Sequence, residues 1–441
     1  KVDDFISNRR TTFINQLKAE NLWFDLEPPS FSEPGGTTTN GAQIALTNPN
    51  SSGTIYYAFD GEDPRGAGGV SAGTEYIEPI TIDRSRHIKA RVLKNGVWGA
   101  LAEETYLTLH PKLLISEIMY NPADPEQGSV YDNDDFEFIE LYNSDSSAIP
   151  LPPVIIDNGI AFNFSGTEIN SIASGEYIVL VCNLEAFATR YDTNDIIVAG
   201  TYTDKLSNSG EKLELLHDNY GTLVKGSFSD GWYDHTDGDG YSLNLRNLSA
   251  PGIFDEKDSW KPSSAYGGSP GKPDPNTVPE PGTVVVNELL SHTDLSPVGD
   301  WIELYNTSDE PIDISGWTLS DDSTNLVKYV IPEPAILPAY GYITLNAFNH
   351  FDTPAARVPF AFSEHGDEAI LTSPVDGNGF LTGYRHDVDF EGAEREFAFG
   401  RYTRSDGKND WITLSSSTPG AANAYPKVGP VVIHEIGYQP A

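Results

Sequence analysis

The 441-residue sequence contains one cysteine, Cys182, so no internal disulfide can form. This argues against a small secreted domain stapled by disulfides and fits either a cytosolic or a bacterial extracellular protein. Positive charge is scarce. Lys and Arg number 27 against 65 Asp and Glu, a formal net charge of −38. A nucleic-acid face needs clustered basic residues and none is visible, so no nucleic-acid partner is expected, nor an anionic membrane surface. No apolar run approaches the roughly eighteen residues of a membrane span, so no membrane insertion is expected of this segment. Long helical runs of Ala, Leu, Glu and Lys are missing. The nine histidines show no short ligand spacing and Cys182 stands alone in an apolar strand, which argues against zinc. Neither a Gly-x-Ser-x-Gly elbow nor a phosphate-cradling loop occurs.

What the sequence does hold is strand-forming and repeated. Gly 40, Pro 31 and 11% aromatics fit many short strands joined by tight turns. The stretch from Asp300 to Ser308, DWIELYNTS, matches Asp135 to Ser144, DFEFIELYNS. Each is a strand of aromatic and branched residues ending in a polar turn. Each follows a shorter strand carrying a glutamate, at Leu113–Tyr120 and Val284–Leu290. A third such strand, Val431–Tyr438, comes at the end of the sequence, which reads as a tandem array cut inside its third unit. That strand is expected to cap a neighbouring unit, to add to another molecule's sheet, or to belong to a chain that continues. The last is the simplest expectation, because the sequence starts at Lys1 and ends within a motif.

The chain divides as follows: an N-terminal helix in 1–21, a small sandwich in 22–110, a first large unit in 111–275, a Pro-rich linker in 276–282, a second large unit in 283–424, and a joint with an opening strand in 425–441. Phe5, Ile6, Phe13, Ile14 and Leu17 recur at helical spacing and Asp3 can cap the start. In the small sandwich, TIYYAFDGEDPR is followed by HIKARVLKNGVWGALAEETY with an Asn-Gly hairpin signal. This segment resembles the chitobiase C-terminal-like, fibronectin-III-like module of large bacterial surface proteins, in which Asp60 and Asp63 would be turn formers. The two large units resemble bacterial lamin-tail domains. The second carries NEL, DWIELYN, IDISGWTLSDD and PGAAN; the first carries SGEYIVLVCN, LSNSGEKLELLHDNYG and DGDGYSL. The first departs by placing Leu151-Pro152-Pro153-Val154-Ile155-Ile156 where a Gly-Trp-x-Leu strand is usual, and by an acidic insertion at 121–135. The resemblance implies an all-β fold of tandem immunoglobulin-like sandwiches, interaction or surface roles, and no catalytic residue. In bacterial proteins such domains often follow a CotH-like kinase domain, whose tail the N-terminal helix would suit.

The recurring glutamates Glu117, Glu140, Glu288 and Glu303 are the obvious candidates for paired-carboxylate catalysis. Repetition in every unit favours structure instead, with each facing solvent from an alternating strand or capping a backbone edge. Two acidic loops are candidate Ca2+ sites because Ca2+ takes closely spaced oxygen ligands. One comprises Asp124, Glu126, Asp132, Asn133, Asp134 and Asp135; the other Asp230, Asp234, Asp237 and Asp239. Asp237-Gly238-Asp239-Gly240 lacks the downstream glutamate of an EF-hand, and a solvated acidic surface is the simpler reading of both. Trp232, Tyr233, Trp260 and Tyr266 could stack on sugar rings, or plug the sandwich ends. The sequence therefore points to a non-enzymatic stalk, filament or adhesion scaffold of a secreted or cell-surface bacterial protein, contacting other copies or other surface proteins. The alternative is a Ca2+-dependent carbohydrate-binding accessory region of a larger extracellular enzyme or CotH-like protein, with polysaccharide as partner.

Overall fold

The computed structural model describes all residues except 1, 21–24, 40, 295–297, 393 and 430–441. The opening strand at 431–438 lies outside the described residues. By internal contacts the chain forms two compact units, 1–112 with 216–223, and 113–215 with 224–441. The fold is almost entirely β, in sandwich-like sheets.

The first unit opens with the helix Val2–Ala19. Its main sheet orders the strands Gly36–Thr38, Ala102–Thr108, Arg86–Lys94, Thr54–Phe59 and Thr74–Glu75, with Val97–Trp98 folded back on Arg86–Lys94. That hairpin turns through Asn95 and Gly96 at φ 50° and 78°, the left-handed pair a two-residue turn requires. Ile44, Ile55, Ile82, Ile88 and Val92 form the core. Asp63 turns the chain and also holds Arg91, with both oxygens 2.9 Å from the guanidinium. That pairing holds its carboxyl below the ordinary value.

The second unit contains two sandwiches of matching plan. In the first, a six-stranded sheet runs Val198–Thr201, Tyr177–Val181, Phe138–Asn143, Leu113–Met119, Leu243–Leu245, Trp260–Pro262. In the second, a five-stranded sheet runs Tyr342–Asn346, Trp301–Asn306, Val284–Leu290, Phe399–Thr403, Asn409–Thr413. Each has a four-stranded companion sheet. In the second sandwich, Val286, Ile302 and Leu304 of one sheet and Leu319, Ala369 and Leu371 of the other share one core. The first sandwich makes the strand Val154–Asp157 without a Gly-Trp pair, so the position holds where the motif is lost. It also inserts the helix Leu184–Arg190 and an extra parallel strand, where the second has the single wide turn Ala347–Phe351.

The linker between them does not hold the sandwiches apart. Val278 packs on the second core, and Glu280 lies within 3.5 Å of Arg246 and 3.4 Å of Lys261 on the first sandwich. A Pro-rich composition sets stiffness but does not reveal docking partners.

Candidate functional site

The recurring glutamates come first, because their positions are the most specific. In each sandwich the two carboxylates are cross-strand neighbours, Glu117 opposite Glu140 and Glu288 opposite Glu303. All four are buried. The solvent-facing reading is therefore wrong: a β-bulge sets Glu117 and Glu288 beside Glu140 and Glu303 on the sheet face away from the sandwich core, and the exit turn of each sandwich covers that face. One extra residue, Ser116 or Asn287, sits between Ile115 and Glu117 or Val286 and Glu288 and shifts the register. The bulge residue then serves the second glutamate. Ser116 Oγ donates to Glu140 at 2.7 Å, and Asn287 Nδ2 donates to Glu303 at 2.9 Å.

The remaining carboxylate oxygens bind the exit turn of their own sandwich. Glu117 accepts from the Ser269 N–H at 2.9 Å, and Glu140 from the Gly271 N–H at 2.7 Å. Glu288 accepts from Thr418 N–H at 2.8 Å, and Glu303 from Gly420 N–H at 2.5 Å. Gly271 and Gly420 hold φ of 82° and 79°, the left-handed geometry that aims these N–H groups inward. The glutamates thus clamp Ser269-Pro270-Gly271 and Thr418-Pro419-Gly420. Burial pushes Glu288 up to about 7 and raises Glu117, Glu140 and Glu303 from the ordinary carboxylate value.

Two further pairs of carboxylates repeat the device. Glu137 accepts from the Leu206 N–H at 2.8 Å, and burial lifts it to about 8. Its counterpart Asp300 accepts from Phe362 N–H. Glu211 and Asp367 bind the N–H groups of Ser207 and Ser363 at 2.8 and 3.0 Å. Each of these groups accepts from the N–H of a loop or turn residue.

The two acidic loops meet. Asn121 accepts from Asn133 Nδ2 at 3.0 Å and donates to Asp237 at 2.6 Å. Most of their carboxylates already have partners. Asp132 and Asp134 hold Lys205, each at 3.2 Å. Asp135 accepts from the Asp132 N–H and from Asn183. Asp230 caps its own turn through the Gly231 N–H at 2.8 Å. Asp234 and Asp239 each lie 3.6 Å from Arg385 of the second sandwich. Asp124 and Glu126 are exposed on the wall of a cleft. Among the described residues no three His, Cys, Asp or Glu side chains are arranged to hold a metal ion.

Arg385 is the residue that sequence reading missed. It is a single arginine in Gly383-Tyr384-Arg385-His386-Asp387, with nothing local to mark it. Around it the two sandwiches interlock. Tyr266 stacks flat on Phe380, centroids 3.9 Å apart at 9°. Tyr241 Oη donates to the Leu381 carbonyl, and His235 Nε2 contacts the Gly383 carbonyl at 3.1 Å. Asp387 adds a third carboxylate 3.2 Å from Arg385, and burial raises it and Asp239. Burial in the same contact holds His235 down at about 4, so it is neutral at pH 7.

The aromatic candidates separate accordingly. Trp260 is fully buried and donates to the Phe254 carbonyl at 2.9 Å. Tyr233 is buried with its Oη on the Trp260 carbonyl at 3.0 Å. Trp232 is half-buried. Tyr266 edges a cleft of about 1180 Å³ between the acidic insertion, the end of the helix Leu184–Arg190 and the loop 266–272. Tyr131, Phe380, Asp124, Glu126 and Asp192 also line it.

Residues 277–388 match the Lamin Tail Domain family model, and residues 33–100 match that of the Chitobiase/beta-hexosaminidase C-terminal domain. Both are immunoglobulin-like accessory modules and not catalytic ones. Comparison with curated proteins gives no match. Among solved structures, a Bacteroides ovatus mixed-linkage glucan utilization locus protein, SGBP-B, in complex with a mixed-linkage heptasaccharide is 11% identical, covering 89% of this chain and 71% of that one at a TM-score of 0.16. The surface layer protein SbsC, domains 4–9, is also 11% identical, with the same coverages and a TM-score of 0.13. Scores this low leave the properties of those proteins with those proteins.

Proposed function

From a chain built of lamin-tail and chitobiase-type modules, we infer a non-enzymatic scaffold segment of a secreted or cell-surface protein, in which the two lamin-tail-like sandwiches act as one stiff element. The observation that carries this reading is the interlock around Arg385, with Tyr266 stacked on Phe380. A spacer that bent freely would not set one arginine among three carboxylates from two modules. Arg385 itself is largely buried, while Asp234 and Asp239 remain exposed, so these ion pairs position the modules more than they stabilise them. The acidic surface keeps such a segment soluble in a salty medium. The absence of a helix long and apolar enough to cross a membrane, among the described residues, leaves attachment to other parts of the protein or to partners.

The test is a distance measurement. Spin labels at exposed Glu168 and Asp309, in a Cys182→Ser background, report the separation of the two sandwiches. The expected result is one narrow distance distribution. A broad distribution in the otherwise unaltered chain would overturn the scaffold reading.

A second reading rests on the cleft. Tyr131, Tyr266 and Phe380 offer ring edges and faces beside Asp124, Glu126 and Asp192, a combination that suits sugar hydroxyls and apolar sugar faces. On this reading the segment also holds a neutral polysaccharide. Retarded migration in gels containing soluble polysaccharides, abolished by Tyr131→Ala, would support it. Unaltered migration with every polysaccharide would exclude it.

A further inference from the structure

Lys261 is a buried amine in a protein with few cations. It lies on the strand Trp260–Pro262 with its side chain 9% exposed. Three groups surround its Nζ. It donates to Asn276 Oδ1, lies 3.4 Å from Asp274 Oδ2, and donates to Glu280 Oε1 at 3.4 Å. Asp274 is held firmly. Its side chain is 6% exposed, and its Oδ1 accepts from the Ser264 N–H and Oγ, both at 2.8 Å. Its Oδ2 also accepts from the Asn276 N–H at 3.3 Å. Pro273 and Pro275 restrict the backbone on either side, and Asn276 takes φ 51°. The loop thereby turns the Asn276 carboxamide back onto the lysine.

An amine nucleophile, a carboxamide and a fixed carboxylate are the three parts of an acyl transfer. Fixed proximity of the amine to the carboxamide replaces the entropy of encounter. We propose that Lys261 and Asn276 join in an intramolecular isopeptide bond, with Asp274 as the general base. Asp274 takes a proton from the Lys261 ammonium. The freed Nζ pair attacks Cγ of Asn276, forming a C–N bond and a tetrahedral centre. Collapse of that centre breaks the Cγ–Nδ2 bond, and a second Nζ proton passes to Nδ2. The leaving group departs as ammonium, carrying the proton that Asp274 held. Amine and primary carboxamide become secondary amide and ammonia, with no change of oxidation state and no further reactant.

The cross-link would tie the linker to the edge of the first sandwich. The second sandwich provides an internal control. There Ile412 occupies the register of Lys261, opposite Gly400 as Lys261 is opposite Asn244, so no amine is present.

Intact mass of the purified full chain under denaturing conditions decides the matter. The expected mass is about 17 Da below that of the sequence, one ammonia lost. Trypsin leaves both residues in one peptide, 258–328, because Lys261 and Lys272 precede proline. That peptide should carry the deficit and give no backbone fragments between 261 and 276. Lys261→Arg and Asn276→Ala should each restore the full sequence mass. A wild-type chain at full mass overturns the proposal. So does an ammonia deficit that persists in Lys261→Arg, which would mark a cyclic imide at asparagine.

Discussion

At the residue scale, the chemistry of this protein lies in carboxylates placed out of water. Glu288 has both oxygens on Thr418, one accepting from its N–H and the other from its hydroxyl. Burial lifts it from the ordinary 4.5 to about 7. A group raised in the folded state contributes stability that is fully present below pH 4.5 and is lost as pH rises through 7. His235 and His386 work in the opposite sense. Burial depresses both to about 4, so folding loses stability as pH falls below 6.5. The test is therefore a difference between variants. Glu288→Gln keeps the shape, an acceptor for the N–H, and a donor toward the hydroxyl. It should match wild type at pH 5 and exceed it at pH 8, by on the order of 1–3 kcal/mol in denaturant unfolding. Equal stabilities at both pH values would mean that Glu288 stays ionised at no cost. Glu288→Ala should instead lose stability at every pH, because the half-buried Thr418 N–H and hydroxyl lose their acceptor, at a cost of about 1 kcal/mol. The sequence showed that these glutamates repeat, since each sits in a local strand motif. It did not show their burial, because the bulge that pairs them adds one residue without any composition signal and the turn that covers them is distant in sequence. Nor did it show their partners, since the Ser/Thr-Pro-Gly turns they bind follow Glu117 and Glu288 by 152 and 130 residues.

At the scale of elements, strands and turns were readable while docking was not. The hairpin at Asn95-Gly96, the ELYN strands and the Pro-Gly exits all depend on residues adjacent in sequence. The interlock depends on residues such as Tyr266 and Phe380, whose meeting is set by two loops of different modules. Gly383 isolates that contact. A Cβ there would lie on the carbonyl oxygen of Ser263, which is backbone and cannot step aside. Its own φ lies outside the left-handed region, so alanine suits the local chain. Gly383→Ala should therefore separate the two sandwiches and leave each folded. The measurement is the spin-label distribution between Glu168 and Asp309, which should broaden, while circular dichroism of the strands stays constant. Arg385→Ala should broaden it in the same way, because it removes the cation that joins Asp234 and Asp239 of the first sandwich to Asp387 of the second. A narrow distribution in both variants would show that the linker alone sets the geometry.

At the scale of the whole molecule, the question is what the excess of 38 negative charges does. The acidic loops suggest ligand cages for Ca2+; most of their carboxylates have protein partners, while Asp124 and Glu126 are exposed. Asp132 and Asp134 neutralise Lys205, Asp234 and Asp239 neutralise Arg385, Asp237 accepts from Asn121 of the other loop, and Asp230 holds its own turn. What remains uncompensated is spread over the surface, where repulsion falls off over about 10 Å at 0.1 M salt. Self-repulsion of this kind destabilises the compact state and is relieved by any cation that screens it. The expected outcome is that Ca2+ and Mg2+ at matched ionic strength raise the melting temperature equally, and that NaCl reaches the same value at sufficient concentration. A ligand held by a cage stabilises by mass action according to its own affinity, so a cage would favour Ca2+ over Mg2+ at millimolar concentration. An excess of several degrees with Ca2+ alone, lost in Asp237→Asn, would return the second loop to the role of a calcium site. Equal shifts would leave the charge as a property of the surface, with the buried carboxylates as its structural exceptions.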